Sequence, residues 1–223
     1  MTMAGSRDVD ADVASVNPTY PTGRSRRSWA AGRVVRLHLV SRRVPAALAV
    51  MLACAAVFQG VLRWPGSHGS LQTPLIIEAA AAAIVAVATG SPFGESERAT
   101  GRRLPYLRLG AAVGLTGAAF AALLAGSTGA VLLGGPLSLL RNVAGIAGVG
   151  LLAAGVLGAW LSWIGPMAYL ALAEEALSSG WHTPWMWPTR PPGDVGGAIC
   201  AALLFGVGLT VIAMRGARVT NRE

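Results

Sequence analysis

There is no lysine anywhere in the 223 residues. That single absence excludes both the lysine with which a phosphate loop grips a nucleotide and a Schiff-base lysine. If nucleotide drives this protein, it sits on another polypeptide. Cysteine is nearly absent too. Cys54 and Cys200 each fall inside an apolar run, where a free thiol behaves as a small core residue, and no disulfide is expected. The three histidines, His38, His68 and His182, are scattered with no Cys or carboxylate at ligand spacing, so neither a metal site nor any cofactor is expected. No serine sits in a nucleophile elbow. Charge is thin as well: 13% of residues are charged against 53% hydrophobic, too apolar for an ordinary soluble domain.

Long apolar runs take up the space that charge leaves. Residues 44–62, 71–89, 106–125, 143–163, 167–179 and 195–214 read as six membrane spans, most near the ~20 residues that cross a bilayer. The expected fold class is therefore all-α, a polytopic transmembrane helical bundle. Three regions follow: a basic tail over 1–43, a six-helix transmembrane domain over 44–214 and a short basic tail over 215–223. The leader before the first span is long and that apolar run continues to Leu62, so the span is expected to be retained and not cleaved as a signal peptide. Residues 33–43 mix Val and Leu with arginine and fit an interfacial entry helix.

The arginines orient the bundle. Fifteen of the 18 lie before residue 44, at 98, 102, 103 and 108, or after residue 214; only Arg63, Arg141 and Arg190 fall near the remaining loops. The positive-inside rule then places both termini and residues 91–108 in the cytoplasm. The net charge of +8 reads as a topology signal and a contact for anionic lipids, not as a nucleic-acid footprint. On the outer side, Trp64, Trp181, Trp185 and Trp187 are expected to be interfacial anchors. Residues 126–140 are apolar but broken by glycines and Pro136, with Arg141-Asn142 at their end, and fit a short re-entrant or interfacial segment.

Glu78, within the second run, is the intramembrane polar candidate. A carboxylate there costs about 2.5–3.5 kcal/mol to insert, so it should face protein or a wet cavity. It serves either a function or a hydrogen bond to a neighbouring helix. With no second deep acid or histidine beside it, a proton relay or ion-coupled transporter is disfavoured. Glu174-Glu175 invites comparison with CAAX-type intramembrane proteases. In those the pair is followed four residues later by arginine; here that position is Ser179, and no enzyme is expected. The pair should lie near the outer water boundary, with Arg141 or Arg190 as partners. Gly110/Gly114 and Ala154/Gly158 have the spacing of close helix contacts, within one chain or between two.

Residues 91–108 are the inside loop with enough surface for a soluble partner. Together with Arg141-Asn142 and the Trp-Met-Trp-Pro ledge at 185–188, the run Gly-Ser-Pro-Phe-Gly-Glu-Ser-Glu-Arg at 90–98 resembles small actinobacterial membrane proteins of ABC-2-type exporters. The resemblance implies an inner-membrane permease subunit, paired as a homodimer or with another permease and energised by a separate ATPase. It implies that Phe93, Glu95, Glu97, Arg98, Arg102 and Arg103 belong to the ATPase-coupling loop, and that a re-entrant outer hairpin precedes the last span. A non-transporting scaffold or accessory subunit is the alternative.

Overall fold

Backbone groups that meet lipid must be satisfied within their own segment, and the apolar runs answer this by becoming helices. A computed structural model describes residues 44–64, 72–89, 104–132, 134–181 and 183–215, all within one unit, His38–Glu223. Among them are six α-helices and no strand: α1 Val44–Arg63, α2 Gln72–Ala88, α3 Leu104–Gly126, α4 Gly135–Leu157, α5 Ile164–Ser179 and α6 Val195–Arg215. Two short 3-10 turns, Ala159–Leu161 and Trp187–Thr189, flank α5. Four helices, α1, α3, α4 and α6, are long and apolar enough to cross a bilayer. Their outward faces carry Leu52, Val57, Val113, Leu203 and Val207, a surface suited to lipid and ill suited to water. This is a membrane protein. The tails 1–43 and 216–223 and the residues 90–103, including Phe93, Glu95, Glu97, Arg98, Arg102 and Arg103, lie outside the described residues.

Helix α4 is the axis of the bundle. Two-thirds of its apolar window is buried, against about a quarter for α1, α3 and α6. It packs on α2, α3, α5 and α6, while α1 lies against α2 and α3. Glycine makes this possible. A methyl group on Gly148 would stand 2.6 Å from the Phe205 backbone, and one on Gly208 would stand 2.7 Å from the Gly148 carbonyl. The backbones of α4 and α6 therefore touch, as small residues allow. Met51, Phe58, Val85, Leu123, Leu139, Val143 and Ile146 fill the main core around this crossing.

The helices alternate in direction. Phe58 and Leu62 at the end of α1, Pro74 and Glu78 at the start of α2, Ser138 and Asn142 at the start of α4, and Leu177 at the end of α5 all line one cavity. Arg63 donates to the Thr128 carbonyl beyond the end of α3 (3.4 Å). The start of α6 joins them, because Trp187 sits against both Gly145 and Gly197.

Residues 126–140 differ from expectation. The backbone turns at 127–130, and α4 then begins at Gly135 and runs unbroken through Arg141-Asn142. The residues that look like breakers mark a helix start: Gly134 takes a left-handed φ of 86° and Pro136 stands in the first turn. At the other end α4 stops at Leu157, not Trp163. Gly158 supplies the positive φ (93°) that ends it, and Ala154, one turn earlier, is buried against Ala112 of α3 and Ile212 of α6, packing within the chain. Helix α5 then begins at Ile164, three residues earlier than the sequence suggests, and ends at Gly180, where the Trp181 N–H bonds the Ala176 carbonyl (3.0 Å). The ledge before α6 is an irregular loop with one 3-10 turn.

Candidate polar site at one end of the bundle

Glu78 lies six residues into α2, roughly 9 Å from its start at 1.5 Å per residue. Its side chain is 6% exposed and points at α4, where the Asn142 amide donates to Oε2 over 2.9 Å. Both residues border a cavity of about 30 Å3 whose other walls include Phe58, Leu62, Leu75, Leu132, Ser138, Leu177 and Pro188. The oxygen of that amide, Asn142 Oδ1, is buried without a hydrogen-bond partner. An isolated amide acceptor in an apolar surround is costly, which makes this end of the bundle chemically unfinished. Asn142 escaped sequence reading because a lone amide beside arginine looks like a loop; its place one helix away from Glu78 is a tertiary fact.

One residue earlier on α4, Arg141 is 7% exposed, yet its guanidinium meets carbonyls and not a carboxylate. Nη1 donates to the Pro191 carbonyl (2.9 Å) and Nη2 to that of Arg190 (3.2 Å). Arg141 thereby ties the segment before α6 to the bundle axis. Arg190 pairs with Asp194, at 2.7 Å. Asp194 also accepts from the Gly197 N–H (2.6 Å), capping α6. The Arg190 guanidinium first, and that N–H second, hold the Asp194 carboxyl below the usual range. An acid directly before an apolar run was the available signal for this cap, and it was missed. Glu174 is half-buried with Oε1 unpartnered, and the Glu175 carbonyl accepts from Ser178 and Ser179.

Trp187 corrects one expectation. It is fully buried, stacked on Tyr169 with centroids 4.5 Å apart, and its ring occupies a slot that any side chain on Gly145 would fill. The Tyr169 hydroxyl donates to the Trp185 carbonyl (3.0 Å) and holds the pair in place. Trp187 is a wedge between helices, so it cannot touch headgroups. Trp64, Trp181 and Trp185 are 71%, 51% and 49% exposed at this same end. A methyl group added to Gly110 or Gly114 would meet nothing within 4 Å, and both are exposed, so these glycines pack on no other helix among the described residues.

The chain matches no protein-family model, no curated protein and no solved structure.

Proposed function

We propose that this chain is a multi-pass cell-membrane protein with six crossings and both termini in the cytoplasm, serving as the membrane subunit of an ABC-type exporter driven by a separate ATPase. The observation that carries the reading is the alternation of the helices. With α1 ending, α2 and α4 starting and α5 ending around one cavity, the end of α2 and the start of α3 lie opposite it, as do the start of α1 and the end of α6. In the sequence, fifteen of the 18 arginines precede α1, fall from Arg98 to Arg108, or lie at Arg215 and beyond, which fits a cytoplasmic face there. Helices α2 and α5, with 17 and 16 residues, are short for a crossing; α2 is largely buried among its neighbours, and α5 is covered on one face. Residues 91–108 then form the inside surface on which an ATPase docks, with Glu95, Glu97 and Arg98 fixing its register.

A cavity of about 30 Å3 has no room for a cargo, so transport requires a path between two permease copies. The outward glycines of α3 suit such a meeting of helices. The same small cavity favours the second reading, a scaffold that transports nothing. The test is to purify the tagged full-length protein from its own membranes and to compare the double reversal Glu97→Arg/Arg98→Glu. An exporter subunit brings down a nucleotide-hydrolysing partner, and the reversal uncouples hydrolysis from transport while membrane insertion is kept. Recovery without any ATPase, and no effect of the reversal, sinks the permease reading in favour of the scaffold.

A further inference from the structure

Beyond the question of transport, the cavity itself calls for a ligand. Glu78 and Asn142 are both more than nine-tenths buried, and both line it. One amide proton of Asn142 is spent on Glu78 Oε2, while Asn142 Oδ1 has no donor. With the carboxylate ionised, the pair holds more acceptors than donors, and the rest of the wall is apolar apart from Ser138. The missing element is a hydrogen-bond donor small enough for about 30 Å3, a space that admits a water molecule but little more.

We propose that the Glu78–Asn142 pair is a proton-binding site loaded through water in this cavity. A proton from the aqueous phase passes by way of cavity water to the Glu78 carboxylate, forming one O–H bond and leaving neutral water behind. The acid hydroxyl donates to Asn142 Oδ1, and the Asn142 amide continues to donate to the other Glu78 oxygen. The ring of two hydrogen bonds satisfies Asn142 Oδ1, the atom of the pair left without a partner. Ser138, also on the wall, gives the water a further partner. From α4 the charge that reaches Glu78 is that of Arg141. Helix α1, helix α5 and the outer segments present Phe58, Leu62, Leu132, Leu177 and Pro188 to the cavity. Arg141 is itself engaged with the Pro191 and Arg190 carbonyls, so protonation at Glu78 need not break an ion pair.

Infrared difference spectroscopy of the full-length protein in lipid nanodiscs tests this. Both faces meet the bath there, so neither orientation nor transport enters the result. Stepping the pH should reveal a carboxylic-acid C=O band that disappears on alkalinisation and shifts in D2O. Glu78→Gln, which keeps the shape of the neutral acid, should remove the band entirely. Asn142→Leu should move it to higher frequency, as for an acid that has lost its partner. Ser138→Phe, which fills the cavity, should slow its deuterium exchange at least tenfold. Identical difference spectra for wild type and Glu78→Gln across the pH range overturn the site. An unchanged band in Asn142→Leu overturns the pairing, and unchanged exchange in Ser138→Phe overturns the route.

Discussion

Glu78 and Asn142 are inexpensive together and costly apart. Intramembrane hydrogen bonds measured by double-mutant cycles average about 0.6 kcal/mol and reach about 1.7. The pair should fall near the upper figure, because both partners are buried and Asn142 Oδ1 has no other bond. Glu78→Gln is expected to unfold in mixed micelles at the same denaturant activity as wild type, and Asn142→Leu earlier, by about 1–2 kcal/mol. A cycle closing with no coupling between positions 78 and 142 counts against the bond. Asp194 makes a different prediction, this time about pH. Its folded pKa is depressed by Arg190 and by the Gly197 N–H, so its stabilisation is present above the unfolded value of about 4 and is lost as pH falls through the folded value. Below about pH 4 the segment before α6 should loosen, which Trp187 fluorescence would report as a red shift. Asp194→Asn, still a cap but no longer an ion pair, should remove that acid transition.

At the scale of elements, two glycine surfaces predict opposite outcomes. Gly148→Ala drives a methyl group to within 2.6 Å of the Phe205 backbone, and overpacking of that kind costs about 1–3 kcal/mol. Gly114→Ala meets open space on α3, and relief of backbone entropy should leave stability unchanged or raised by about 0.5–1 kcal/mol. Chemical unfolding of the two variants side by side checks the ordering; equal loss in both would refute the close crossing of α4 and α6. Such contacts mark the border of what sequence discloses. The apolar runs of α1, α3 and α6 are legible, because lipid demands an unbroken stretch of defined length. The start of α4 is not, because Gly134, Gly135, Pro136 and Arg141 locally resemble a break, and only the carbonyls of residues 190 and 191 make a buried arginine tolerable there. Trp187 misleads for the same reason. Its neighbours Trp181 and Trp185 are exposed, and nothing in the spacing reveals the slot that Gly145 leaves for its ring.

For the whole molecule, the proposed orientation is open to direct labelling. In a background with Cys54 and Cys200 replaced by alanine, single cysteines at Ser96 and Thr183 should respond oppositely to an impermeant thiol reagent in intact cells. Position 183 should react, and position 96 should react only after lysis. The reverse pattern would invert the bundle and move the arginine-rich end outside.

The pairing of α2 with α4 also bears on how the chain is made. Glu78 and Asn142 are 64 residues apart, and a ribosome adds about 5–20 residues each second. The acid therefore leaves the ribosome roughly 3–13 s before the amide that completes it. For that interval α2 has only α1 and α3 as companions, and neither supplies a hydrogen bond to Glu78. The nascent chain must wait at the insertion machinery, or near the aqueous boundary, until α4 arrives. Assembly thus begins with a half-built membrane intermediate whose lifetime is set by the rate of translation.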